Sequence, residues 1–167
     1  LEYHGVDLNS QPEKSICPAW ATIFWEFDFT ADFVELKGPY DTITCFEVIE
    51  HMEPEDGETL LTNIKALMDQ RSTLYLSTPV FNGAAAVNHI HEYTIEELKD
   101  LIESVGLTVR KRWGTFASKP EIIEALTDDE LNIFERLNKY YSGEVMSIMF
   151  APLYPDFSRN NLWEVIL

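Results

Sequence analysis

A chain of 167 residues that is 46% apolar and 13% aromatic can bury one sizeable core and is short for two, so a single domain is expected. Twelve basic residues stand against 29 acidic ones, a formal charge of −17, and that field repels polyphosphate and disfavours a nucleic-acid substrate. No stretch reaches the roughly 18 apolar residues of a membrane span, no basic-then-apolar signal is seen, and Cys17 and Cys45 lack zinc-site spacing, so a soluble, cytoplasmic protein with reduced thiols is expected.

The first element is the apolar run Tyr3 to Leu8, closing on Asp7 and then on the turn formers Asn9, Ser10 and Pro12: a strand opening into a loop. Ile23 to Phe29 reads as a second strand, with aromatic and β-branched residues around Glu26 and Asp28. Tyr40 to Phe46 (YDTITCF), behind the Gly38-Pro39 breaker, is the strongest strand and is expected to be buried on both faces, as in a parallel sheet. A helix follows from about Glu55 to Asp69, its Leu60, Leu61, Ile64, Leu67 and Met68 recurring at helical spacing. Leu74 to Ser77 is a short strand closed by Thr78-Pro79, and Phe81 to Val87 a loop leading into Asn88-His89-Ile90-His91-Glu92-Tyr93.

Thr94 and Glu97 form a capping box for a helix with the inner stripe Leu98, Leu101, Ile102 and Val105, ended by Gly106. Leu107 to Phe116 alternates like an exposed edge strand. Ser118 with Glu121, and Thr127 with Glu130, are capping boxes opening helices through Ala125 and about Tyr140; Ser142-Gly143-Glu144 starts another, ending by Pro152. Asn161 to Leu167 reads as a terminal strand. Strands alternating with helices give an α/β domain whose ligand crevice lies at the carboxyl ends of its strands, where Asp7, Asp28 and the Glu47, Glu50, His51 group fall. The basic trio Arg110, Lys111 and Arg112 is expected to be a solvated edge.

In that order, these segments resemble class I S-adenosylmethionine-dependent methyltransferases, from Tyr3 through about Phe116 with the terminal strand, in the small-molecule O-methyltransferase-like subgroup with an E-x-x-E-H turn. GVDLN is similar to the family's second strand, which implies that Asp7 accepts hydrogen bonds from the cofactor's ribose hydroxyls, with Leu8 beside it. EFDF is similar to the third strand and its turn, implying that Asp28 and Phe29 meet the adenine; DTITCFEVIEHM is similar to the fourth, implying that Phe46 packs on the adenosine face. HEYTIEELKDLIESVGLTV resembles the helix and strand after the family's fifth strand. The resemblance implies a Rossmann-like fold, a mostly parallel sheet flanked by helices with an antiparallel C-terminal strand. It implies one domain over 1–167, with a helical insertion at about 118–153. The family's first strand and glycine-rich turn are not found, so the domain is expected to be partial at its N-terminus, that segment belonging to a longer gene product.

Glu47 and Glu50, at i and i+3, face the same way on a helical turn, with His51 beside them. With His89 they resemble the divalent-metal constellation of small-RNA 3′-terminal ribose methyltransferases and ubiquinone-pathway O-methyltransferases. An ion such as Mg²⁺ held there would polarise a substrate hydroxyl. The competing reading has Glu50 and His51 merely capping the turn. His91 is a substitute ligand, a general base or a solvated loop residue, so His51, His89 and His91 are the catalytic candidates. The stretch from Ser118 to Pro152, with Phe134, Leu137, Tyr140, Tyr141, Met146, Met149 and Phe150, reads as core, a homodimer face or an acceptor-recognition element. The expected activity is methyl transfer to an oxygen or nitrogen of a small-molecule acceptor. Two rivals stand: a metal-assisted RNA ribose 2′-O-methyltransferase and a non-catalytic methyltransferase-like interaction module.

Overall fold

The computed structural model describes residues 4–7, 23–26, 28–30, 36–117 and 119–167. Two short runs of small and apolar residues near the start, β1 (His4–Asp7) and β2 (Ile23–Glu26), pair in parallel from His4 opposite Ile23 to Asp7 opposite Glu26. The TITCF segment forms β3 (Thr42–Phe46), which pairs in parallel with β4 (Thr73–Pro79). β5 (Thr108–Phe116) and β6 (Asn160–Ile166) complete a four-stranded sheet in the order β3-β4-β6-β5, with β6 antiparallel to both neighbours.

The apolar terminal strand thus takes an interior place, burying Trp163 and Val165. β5 takes the edge, as its alternation suggested, and its pairing slips between Val109 and Lys111 and again between Gly114 and Phe116, irregularities common on edges. One expectation fails. β3 is not buried on both faces: Cys45 is buried, but Thr42, Thr44 and Phe46 are exposed. Among the described residues β3 is the end strand of its sheet, and only its face carrying Ile43 and Cys45 meets the core.

Five α-helices are described: α1 (Pro54–Ala66), α2 (Ile95–Ser104), α3 (Lys119–Ala125), α4 (Asp128–Leu137) and α5 (Gly143–Phe150). α1 opens with Pro at its first position and Glu55 and Asp56 in its first turn, where missing amides and the helix dipole favour both. α2 carries the predicted capping box, the Glu97 amide donating to Thr94 Oγ1 at 3.2 Å and the Thr94 amide to Glu97 Oε2 at 2.8 Å. It stops where Gly106 takes φ +76, a left-handed conformation that costs glycine least. The Thr127–Glu130 box also forms, whereas the one expected at Ser118 lies outside the described residues. Among the described residues, no helix is long and apolar enough to cross a membrane.

The main core gathers Leu60, Leu61 and Ile64 of α1, Leu98 and Ile102 of α2, Leu74 and Leu76 of β4, and Trp163 of β6. Each fully buried Leu or Ile is worth about 1.5–3 kcal/mol in transfer free energy, so these stripes set how the helices lie on the sheet. A smaller core under the α3–α5 connection joins Ile122, Phe134, Met146 and Ala151, with Phe150 edge-on to Phe134 at 5.2 Å. It meets the sheet at Gly114, where a Cβ would lie 2.2 Å from the Ala151 carbonyl oxygen and 2.1 Å from Ser158 Oγ.

Candidate active site

At the carboxyl end of β3 the chain leaves the sheet with Phe46 half-exposed and Glu47 at φ +54, an uncommon conformation for a non-glycine residue. Three hydrogen bonds hold it. The Glu47 amide donates to the Ser77 carbonyl at 2.9 Å, and its carboxylate accepts from Ser77 Oγ at 2.7 Å and Asn160 Nδ2 at 3.1 Å. The next residues close into a 3-10 turn, Ile49–His51, whose Ile49 is anchored in the core and whose Glu50 is fully buried.

Glu50 is the centre of the site. Its carbonyl accepts from the amides of Ile90 at 2.8 Å and His91 at 3.1 Å, which draws the segment after β4 over the turn. Its Oε2 accepts from Thr78 Oγ1 at 3.0 Å, while Oε1 is buried without a hydrogen-bond partner. Burial pushes this carboxyl above the ordinary range and the nearby Glu47 charge adds to the rise, against opposing hydrogen bonds from the backbone and Thr78 and the charge of His51.

Two imidazoles converge on that oxygen. His51 Nδ1 lies 3.0 Å from the Asn88 carbonyl, which can only accept, so Nδ1 carries the proton and Nε2 is presented 4.0 Å from Glu50 Oε1. His89 stands edge-on to His51, ring centroids 4.9 Å apart, with Nδ1 2.6 Å from Glu92 Oε1. Glu92 is buried and also accepts from the Ala86 amide and from Arg159. Burial alone would raise its pKa, but these donors together hold the carboxyl below its usual range, so it is ionised and His89 Nδ1 is the donor.

One ligand atom from each of Glu50, His51 and His89 lies within 4.8 Å of the others. Ligands on an ion with bonds of about 2.1 Å are at most about 4.2 Å apart, so small side-chain rotations would close the set. Glu47 stands apart, because its left-handed backbone turns the carboxylate to Ser77 and Asn160. His91 is half-buried and packs edge-on against Tyr93 at 4.4 Å.

Of the residues expected at the cofactor, Asp28 is exposed just past β2, and its Oδ1 accepts from the Thr30 amide at 2.8 Å and hydroxyl at 2.7 Å, an Asx-type turn that fixes the carboxylate. Phe29 packs against the main core, and its carbonyl accepts from Asn63 Nδ2 at 2.6 Å, which ties this turn to α1. Asp7 ends β1; its side chain, like Leu8, lies outside the described residues. The basic trio is engaged internally: Arg110 with Glu164, Lys111 over the Trp113 ring, and Arg112 with Asp156, the Pro155 carbonyl and Asn161.

A family profile described as a methyltransferase domain matches residues 1–112, and the chain belongs to that family. No curated protein matches it in sequence. Among solved structures, it is similar to the Burkholderia thailandensis 1,6-didemethyltoxoflavin-N1-methyltransferase, crystallised with 1,6-didemethyltoxoflavin and S-adenosylhomocysteine (TM-score 0.61, 14% identity, 98% of this chain and 60% of that one). It is also similar to the mitomycin 7-O-methyltransferase MmcR (0.53, 13%, 87% and 34%) and to a protein described as a pericyclic reaction enzyme (0.55, 14%, 68% and 32%). The chain thus spans between about a third and three-fifths of the length of these proteins. The Rossmann-like class I fold is shared with them.

Three residues of the site escaped sequence reasoning. Thr78 read only as a strand stop, Glu92 as part of a loop, and Arg159 had no local signal, since it meets Glu92 from 67 residues away. The spacing of His89 and Glu92, at i and i+3, was the one clue.

Proposed function

We propose that this chain catalyses S-adenosylmethionine-dependent methyl transfer to an oxygen or nitrogen of a small-molecule acceptor, with a divalent cation such as Mg²⁺ held by Glu50, His51 and His89. The observation that carries the reading is the buried, unpartnered Glu50 Oε1 facing His51 Nε2, beside His89, in a methyltransferase-domain chain. A buried carboxylate oxygen without a donor is costly, and a cation is the partner that a carboxylate and two imidazoles suit. Fold alone does not select this activity, since a pericyclic reaction enzyme shares it; the methyltransferase-domain match and the donor set together support it.

S-adenosylmethionine supplies an electrophilic methyl on a sulfonium. The cation would supply Lewis-acid polarisation of an acceptor hydroxyl. Everything else falls to the chain. Asp7 and Leu8 take the ribose, Asp28 and Phe29 the adenine, and the exposed Phe46 offers a stacking face for the base. Positioning and exclusion of water carry the rate, and no acid-base residue is obligatory. Residues 1–167 all belong to one methyltransferase domain, partial at its N-terminus, with the helical insertion at about 118–153 on its acceptor side or in a homodimer. The internally engaged basic trio and the acidic charge favour a small molecule over RNA. A cytoplasmic location goes with Cys45 as a buried, free thiol.

Titration calorimetry of the full-length protein with S-adenosylhomocysteine tests the first half: saturable binding is expected, and no heat at any practical concentration removes the enzyme reading. Turnover should fall in EDTA and return with Mg²⁺; indifference to both removes the cation.

A further inference from the structure

We infer that Glu92 is a positioning residue for His89, clamped by Arg159 and the Ala86 amide so that Nε2 of His89 is the nitrogen presented beside Glu50. The inference rests on the cation reading above and adds to it how one ligand is oriented. Glu92 has a fully buried side chain with every described contact a donor: Ala86 N–H at 3.0 Å, His89 Nδ1 at 2.6 Å and Arg159 Nη2 at 2.7 Å on Oε1, and Arg159 Nη2 again at 2.6 Å on Oε2. Arg159 also donates to the Val80 carbonyl, so both ends of the segment from Val80 to Glu92 are tied to the residue that precedes β6.

The Ala86 and Arg159 contacts of Glu92 help to close that segment, alongside the Ile90 and His91 amides on the Glu50 carbonyl. The short contact to His89 does something else: it fixes the proton on Nδ1 and leaves the lone pair on Nε2. His51 is set in the same tautomer by the Asn88 carbonyl. Two histidines with Nδ1 committed outward and rings nearly perpendicular, at 83°, form the arrangement in which a backbone carbonyl or carboxylate behind each ring orients a metal ligand.

The test uses Mn²⁺ alone as probe, followed by electron paramagnetic resonance, together with long-range ¹H–¹⁵N spectra of the histidine rings in the metal-free protein. Wild type is expected to bind Mn²⁺ and to show His89 protonated on Nδ1. Glu92→Gln should weaken Mn²⁺ by about 10- to 100-fold and mix the His89 tautomers, with His51 unchanged. Glu92→Asp should recover part of the affinity if the shortened carboxylate still reaches Nδ1. Wild-type binding with unaltered affinity in Glu92→Gln overturns the role of Glu92 while leaving the cation reading standing; no Mn²⁺ binding by wild type overturns both. Should Glu92→Gln fail to fold, the wild-type spectrum still decides, because a His89 protonated on Nε2 refutes the arrangement.

Discussion

Replacing Glu50 by Gln should make the protein more stable and less able to hold a cation. The carboxylate is fully buried, takes a side-chain hydrogen bond from Thr78 at 3.0 Å, and leaves Oε1 unpartnered. The desolvation penalty for such an ion is several kcal/mol, and one hydrogen bond to a charged acceptor returns about 1.5–3 kcal/mol. Gln is nearly isosteric, its carbonyl can still accept from Thr78, and its amide would face His51 Nε2 across the present 4.0 Å. Removing the charge should therefore gain about 1–3 kcal/mol without added metal, and at about 2–4 °C per kcal/mol for a chain this size Tm should rise by roughly 2–12 °C. Mn²⁺ at about a thousand times Kd should then reorder the pair: wild type gains about 4.1 kcal/mol, and Glu50→Gln gains little. Differential scanning fluorimetry with and without Mn²⁺ reads both effects. A Glu50→Gln protein that melts below wild type in EDTA would mean that the carboxylate is satisfied by the fold, and the argument from its orphan oxygen would be refuted.

Phe46→Ala should weaken S-adenosylhomocysteine binding by about 5- to 150-fold, the equivalent of about 1–3 kcal/mol of base stacking, while half-exposed Phe46 leaves Tm nearly unchanged; an equal loss of Tm and affinity would count against a stacking role. Gly114→Ala should destabilise by about 1–3 kcal/mol or more in denaturant titration, since the added methyl meets the Ala151 carbonyl and Ser158 before any side chain can give way, and a neutral result would contradict that close approach. Glu130, its carboxyl held down to about 2 by hydrogen bonds from the Thr127 side chain, from Tyr154 and from the Thr127 amide, has a folded pKa below its unfolded value of 4.5. Its contribution is complete above pH 4.5 and lost as pH falls toward about 2, so Tyr154→Phe should narrow the gap between neutral and acid stability, and an unchanged acid-unfolding curve would disprove the linkage.

The elements were legible wherever a local rule decided them. The Thr94 and Thr127 boxes, the stop at Gly106, and the spacing of Leu60, Leu61 and Ile64 are each set within a few residues, and each forms. The exposure of β3 was not legible, because TITCF has the composition of a buried strand and periodicity does not reveal which neighbours a strand acquires. At the site, the E-x-x-E-H spacing pointed to the turn, but it treated Glu47 and Glu50 alike. What separates them is the positive φ at Glu47, a backbone choice fixed by Ser77 and Asn160, which arrive from two other strands. The Glu92–Arg159 clamp depends on the same kind of long-range closure, and no window of sequence contains it.

That β6 lies between β4 and β5 bears on how the molecule is made. β5 has no described strand partner other than β6, so during synthesis it must wait, unpaired, while α3, α4 and α5 emerge and Asn160 to Ile166 clear the ribosome. Such late, distant pairing is slow and leaves a sticky edge open to neighbouring nascent chains. A stop codon anywhere before Asn160 would leave β3 and β4 without the strand that joins them to β5, and the fragment would be a substrate for chaperones and proteases.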